Sequence, residues 1–250
     1  FRFDPLHRLA LAIVLLSAVY PVVLEINAVR SIENDEGRPR PSDWLDGLLM
    51  KRAKRMFVVS ERLKDHLMCH YGVSGQKVSI IENGVDTEKF HPEVSGRGVR
   101  NRYGLTDRFV IAFVGSFRPW HGVQHLLAVA KELIPELPRA TFLLVGDGPE
   151  RSVFERTAAA SGLAGHTVFT GHVPHASVPQ YLAAADVLMY PMPIASFQNG
   201  FYGSALKLFE YMAMGRPVIT SGLGQNSVLF EHGISGMLIP AEDTGGLKAA

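Results

Sequence analysis

The stretch Ala205-Leu206-Lys207-Leu208-Phe209-Glu210-Tyr211-Met212-Ala213-Met214-Gly215-Arg216-Pro217-Val218-Ile219-Thr220-Ser221 decides how this chain folds. Its first half reads as a helix over 206–214, with Leu206, Phe209, Met212 and Ala213 at core spacing and Gly215 as its stop. The apolar run 217–220 that follows reads as a short strand. Within the helix, Glu210 stands beside the apolar stripe. A buried charge without a partner is costly, so Glu210 should either be paired or lie at an opening.

The same alternation extends in both directions. Strand-like apolar runs fall at 22–26, 55–59, 78–81, 109–114, 140–145, 167–169, 186–190, 217–220 and 236–239. Helical patterns occupy 42–54, 61–70, 123–133, 150–160, 178–185 and 206–214 between them. Alternating strands and helices imply an α/β fold of doubly wound parallel sheets. The strands are continuously apolar, as sheets covered on both faces require. One segment, 90–107, is rich in Pro, Gly, Arg and Ser and has no apolar period, so it reads as a crossing between domains. That gives 1–107 as the back part of a first doubly wound domain with its linker, and 108–250 as a nearly complete second one; the resemblance described below implies that both are Rossmann-like. Two such sheets bind ligands outside the carboxyl ends of their strands.

Composition narrows the classes. With 250 residues, 47% hydrophobic and 20% charged, the chain is an ordinary globular protein, and its net charge of +1 argues against a nucleic-acid partner. Lys51, Arg52, Lys54 and Arg55 cluster locally. A solvated helix face explains them best, and peripheral contact with anionic lipid is the alternative. Cys69 is the sole cysteine, so no intrachain disulfide can form and a reducing, cytoplasmic setting is expected. The apolar window 9–23 is preceded by Arg8, cut by Pro21 and followed by Glu25. About twelve helical residues remain where a membrane span needs roughly twenty. A buried helix at 9–20 and a strand at 21–26 are the expectation. The chain starts without Met and stops at Lys248-Ala249-Ala250 inside an apparent helix, which reads as a fragment truncated at both ends.

Functional residues should follow strand ends. The run 109–114 leads into Gly115-Ser116-Phe117-Arg118-Pro119-Trp120-His121-Gly122 and then a helix. Its glycines admit a ligand close to the backbone, the helix start offers free N–H groups to an anion, and Arg118 could fork onto phosphate oxygens. A basic loop with Arg118 in solvent is the bland alternative. Gly146-Asp147-Gly148-Pro149-Glu150-Arg151 resembles the start of a dinucleotide fingerprint, but Arg151 stands at the third glycine position, so a tight turn suffices. Gly203-Ser204 precedes the Glu210 helix, with Ser204 as its N-cap. There a diphosphate would meet backbone N–H groups and Lys207, and a ribose one turn deeper would meet Glu210. The competing reading is a surface Lys207–Glu210 pair. No metal site is indicated: His66 and His70 lack a third ligand, and His172 and His175 read as loop lining.

Taken together, several of these segments resemble the family-four retaining glycosyltransferases of the GT-B fold. They are Asn83-Gly84-Val85-Asp86 with Phe90, Val114-Gly115-Ser116-Phe117, Val145-Gly146-Asp147-Gly148-Pro149, Phe169-Thr170-Gly171, Ala185-Asp186 with Pro191, and Phe209 through Val218. The resemblance implies transfer of a sugar from a nucleoside-diphosphate sugar to a glycan or lipid-linked acceptor, with no metal cofactor. It makes Glu210 the ribose-binding carboxylate, the second of the family's two spaced glutamates. Arg118 and Lys207 become the groups that stabilise the departing diphosphate, with Gly115, Ser116, His121 and the amides around Ser204 and Ala205 in the donor site. Three positions depart from the pattern. Tyr202 stands where the first glutamate belongs, leaving sugar contacts to the 197–203 loop. Ser116 replaces an arginine, and His121 replaces a basic residue and would contact phosphate when protonated. Glu25 and Asn27, after a strand end, are the acceptor-side candidates. A nucleotide-sugar epimerase of the same architecture and a non-catalytic nucleotide-sugar binding module are the rival readings.

Overall fold

A computed structural model of the chain describes residues 2–3, 10–27, 43–193 and 202–250. The chain divides into two units, Phe1–Asn83 with Gln198–Ser204, and Gly84–Phe197 with Ala205–Ala250.

In the first unit β1 (Arg2–Phe3), β2 (Val23–Ile26), β3 (Arg55–Val58) and β4 (Val78–Ile80) form one parallel sheet in that order. Helices α1 (Ala10–Leu16), α2 (Asp43–Arg52) and α3 (Glu61–Tyr71) connect the strands. Leu24, Ile26, Leu49, Met50, Met56, Leu63 and Leu67 form the buried core. Strand β2 departs from the expected pattern: Leu24 and Ile26 are buried, whereas Val23 and Glu25 are exposed, so its residues face alternate environments. The N-terminus of α3 is closed by Ser60, whose side chain accepts the Leu63 N–H at 3.2 Å.

The second unit holds a six-stranded parallel sheet built from β5 (Phe109–Val114), β6 (Ala140–Val145), β7 (Thr167–Phe169), β8 (Val187–Tyr190), β9 (Val218–Ser221) and β10 (Met237–Ile239). Its order is β10-β9-β8-β5-β6-β7. The chain therefore runs outward from β5 in one direction, then returns to β8 and runs outward in the other. The carboxyl ends of β5 and β8 flank the point of reversal, where open α/β sheets leave a crevice. Helices α4 (Arg97–Tyr103), α5 (Val123–Leu133), α6 (Arg151–Ala160), α7 (Val178–Ala183), α8 (Leu206–Ala213), α9 (Asn226–Leu229) and α10 (Thr244–Ala249) complete the unit. Strand β6 is buried along its whole length, as its continuous apolar run predicts.

The segment 90–107 is counted in the second unit and carries α4. A single guanidinium clasps it there. Arg100 Nε donates to the Ala184 carbonyl at 2.9 Å, and its Nη2 lies 2.8 Å from Asp186 Oδ2. Asp186 Oδ2 also accepts the Val110 N–H at 2.7 Å, which ties the clasp to β5. Because a charge network and the buried Phe90, Val99 and Leu105 hold this stretch, it needs no apolar period. No helix among the described residues is long and apolar enough to cross a membrane.

Candidate functional site

The loop after β5 is shaped by two glycines. A Cβ at Gly115 would collide with Lys207 Nζ, so only glycine lets the ammonium lie against this backbone. Gly122 has φ 75°, and a Cβ there would run into the Pro191 carbonyl oxygen just beyond β8. The loop is thus laid across the reversal point. Between the glycines, Ser116 Oγ lies 3.2 Å from His121 Nδ1, and His121 Nδ1–H donates to the Ser116 carbonyl.

Helix α8 lies in a register different from the sequence expectation. Its buried positions are Leu208 and Tyr211, continued by the flanking Ala205 and Met214, while Leu206 is 56% and Met212 41% exposed. The reason is Tyr211, whose hydroxyl accepts the Val114 N–H at 2.8 Å and fixes the helix at the end of β5. Lys207 Nζ is then buried, 4.6 Å from the Phe113 ring centre and 4.3 Å from that of Tyr190. The exposed part of the half-buried Lys207 residue lies elsewhere than Nζ. Among the described residues Nζ has no hydrogen-bond partner. Burial lowers the Lys207 pKa to about 7, against the pull of the Glu210 charge. The surface Lys207–Glu210 pair is therefore excluded.

Glu210 does have a partner. Its Oε1 lies 2.8 Å from His175 Nε2, with the carboxylate 15% and the imidazole 71% exposed. The His175 ring sits 5.5 Å from the buried ring of Phe90. Sequence reading passed over His175 as loop lining, although its position shortly after β7 obeys the strand-end rule that singled out Arg118.

Two other expectations are corrected. Ser204 is not the helix cap: Ala205 holds that position, Asn83 Nδ2 donates to the Ser204 carbonyl at 3.1 Å, and the Ser204 hydroxyl is buried without a partner. His121 is not protonated near neutral pH, because burial first and the Lys207 and Arg118 charges next lower its pKa to about 4 despite the Ser116 carbonyl. Its Nδ1 proton is committed to that carbonyl, which leaves Nε2 as an acceptor. Arg118 is exposed, its guanidinium 5.2 Å from the Trp120 ring centre. Asp147, in the glycine-rich turn, accepts from Gly148 N–H at 2.8 Å and from Arg151 at 3.2 Å, as a turn requires.

In the first unit Asn27 Nδ2 donates to Glu25 Oε1 at 3.0 Å. Tyr202 is held by Ser60, whose hydroxyl donates to its carbonyl, with the Arg62 guanidinium 5.4 Å and the His66 ring 5.3 Å from its ring. Of the 197–203 loop, residues 197–201 lie outside the described residues. No group of three or more His, Cys, Asp or Glu placed to hold a metal ion occurs among the described residues.

The 2-deoxystreptamine glucosyltransferase of Streptomyces kanamyceticus is 31% identical over 178 residues, 70% of this chain and 44% of the relative. The GDP-mannose-dependent alpha-(1-6)-phosphatidylinositol monomannoside mannosyltransferase of Mycolicibacterium smegmatis is 30% identical over 168 residues, 67% of this chain and 44% of the relative. The chain spans about half the length of the curated relatives it matches. Among solved structures, Anabaena HepE in complex with UDP superposes with a TM-score of 0.78 at 22% identity, covering 96% of this chain and 65% of that one. Sucrose-phosphate synthase from Thermosynechococcus elongatus gives 0.77 at 21% identity, covering 94% and 59%. These likenesses establish the two-domain Rossmann-like fold. The profile of Glycosyltransferase Family 4 matches residues 6–89. That of Glycosyl transferases group 1 matches residues 108–250, more than half of the chain, and the protein belongs to that family.

Proposed function

We propose that this protein moves a sugar from a nucleoside-diphosphate sugar to a glycan or lipid-linked acceptor, with retention of configuration. In this reading residues 108–250 bind the donor and the first domain serves the acceptor. The observation that carries it is Lys207 Nζ, a buried ammonium without a hydrogen-bond partner among the described residues, lying against the Gly115 backbone. A buried cation left unpaired is costly unless something anionic is meant to join it. A diphosphate supplies that anion. Lys207, the N–H groups of the 115–122 loop and the start of α8 would hold it, with Arg118 swinging from Trp120 to join them. Ser116 and His121 would line this grip, Ala205 would offer its amide, and Glu210 would accept from the ribose.

Cationic side chains and oriented amides, rather than a metal ion, would then stabilise charge on the leaving diphosphate. The bond from the anomeric carbon to the phosphate oxygen breaks as the acceptor oxygen bonds to that carbon on the same face. The acceptor proton passes to the departing diphosphate. The relatives above are sugar transferases in each case, which supports the reading.

A thermal-shift panel of UDP, GDP, TDP and ADP tests it. At a hundredfold over Kd, a ligand adds about 2.7 kcal/mol. For a unit of this size that is roughly 5–10 °C in Tm. One diphosphate is expected to stabilise the wild-type chain, and Glu210→Ala to lose most of that response. No shift with any of the four rejects the donor reading. A glycosylated product formed from labelled donor excludes the binding-module reading.

The lysine also predicts a proton count. With a pKa of about 7, Lys207 is mostly neutral at pH 8 in the free chain. An arriving diphosphate favours its charged form, so binding at pH 8 should take up a proton, approaching one per site. Isothermal titration in two buffers of different ionisation enthalpy measures it, and zero uptake refutes the pairing. The stability sign follows from the same group. Between pH 7 and the ordinary lysine value of 10.5, the unfolded chain holds the Lys207 proton and the folded chain does not. Stability of the free chain should therefore rise with pH across that window.

A further inference from the structure

Glu210 is a nearly buried carboxylate whose hydrogen-bonding capacity the protein fills only in part. Oε1 is taken by His175 Nε2 at 2.8 Å, and Oε2 has no hydrogen-bond partner among the described residues. An ionised carboxylate has about four acceptor positions, so most of them remain open. The two partners are also unequal: the acid is 15% exposed, the imidazole 71%. An ion pair serving only stability at such an edge contributes little. A restraint on a carboxylate that must present its other oxygen to a ligand is a different matter. The site is built accordingly. Tyr211 fixes α8 to the Val114 N–H, so the helix cannot turn Glu210 away. Pro174 leads into the turn His175–Ser177, and the buried Phe90 ring backs the imidazole.

We infer that His175 is a positioning residue for ribose recognition: it holds Glu210 Oε1 so that Oε2 is free for a ribose hydroxyl of the nucleoside-diphosphate donor. This rests on the donor reading above. Freezing a glutamate rotamer before the ligand arrives removes an ordering cost from binding, worth about two- to tenfold in affinity.

The test is isothermal titration of UDP, GDP and ADP, each beside its 2′-deoxy counterpart. The proteins are the wild type, Glu210→Ala, His175→Ala and His175→Gln. For the nucleotide that binds, wild type should prefer the ribose form by about tenfold or more, the value of a hydrogen bond to a charged group. Glu210→Ala should reduce that preference to about twofold. His175→Ala should weaken the ribose form about two- to tenfold with little change for the deoxy form. His175→Gln, whose Nε2 can donate to the same oxygen, should restore the preference. A merely structural histidine would move both nucleotides together. If Glu210→Ala loses the preference and His175→Ala keeps it in full, the inference falls while the donor reading stands. If Glu210→Ala keeps it too, the donor reading fails and takes the inference with it; if none of the three nucleotides binds, the inference falls, and the thermal-shift panel that includes TDP decides the donor reading.

Discussion

Replacing Lys207 by methionine should lower sugar transfer by about a hundredfold or more and leave the free protein at least as stable. The two halves of this expectation have one cause. Methionine keeps most of the aliphatic stem against Phe113 and Tyr190, so no large cavity opens. It removes an ammonium that is buried without a hydrogen-bond partner among the described residues, and with it the cost of desolvating that charge. Only when a diphosphate is present, and most when it departs, does the charge become favourable. The expected pattern is thus an unchanged or raised Tm, no thermal shift with the nucleotide that stabilises wild type, and a turnover loss in kcat. A destabilised chain with wild-type turnover would reverse the assignment. Arg118→Ala should show the milder version, roughly tenfold, because its guanidinium is exposed and must leave Trp120 to act.

What the sequence revealed about this site, and what it hid, follows from the range of the interactions. The strand runs at 109–114, 140–145 and 167–169 coincide with β5, β6 and β7; β5 and β6 lie inside the sheet, where nearly every side chain is apolar. Lys207 and Glu210 were legible as candidates because three-residue spacing on a helix is a local fact. Their surroundings were not. The burial of Lys207 depends on Phe113 and Tyr190, which reach it only through the strand order. The register of α8 is tied to the end of β5 through Tyr211 and Val114, and amphipathic spacing alone pointed to the wrong stripe. Helix α4 was missed for a related reason, since Arg100 holds it and a charge network leaves no period to read. His175 shows the opposite failure: the strand-end rule pointed to it, but a lone histidine says nothing about the carboxylate it will meet.

Phe117 carries the largest expected effect on stability, and its placement links the fold to the site. The side chain is fully buried between Ser116 and Arg118, two of the proposed donor-site residues. Its ring lies 6.3 Å from Phe113, 6.1 Å from Phe154 and 6.1 Å from Phe169, so it joins β5, α6 and β7 at their shared corner. Its backbone N–H donates to the Asp147 carbonyl at 2.9 Å, and its carbonyl accepts the Glu150 N–H at 3.2 Å. Phe117→Ala removes the ring and leaves a void that three other aromatic side chains cannot close. The cost should be about 3–5 kcal/mol. For a domain of this size that lowers Tm by roughly 6–20 °C. Phe117→Leu fills much of the space and should cost well under half as much. Near-UV circular dichroism during thermal melting reads both. A loss below about 1 kcal/mol for the alanine variant would mean that this corner is not packed as described. Nucleotide affinity should fall in the same variant at temperatures where it remains folded. An anchor between Ser116 and Arg118 is what keeps a glycine-flanked loop from wandering, and a loop that wanders presents its amides to no one position.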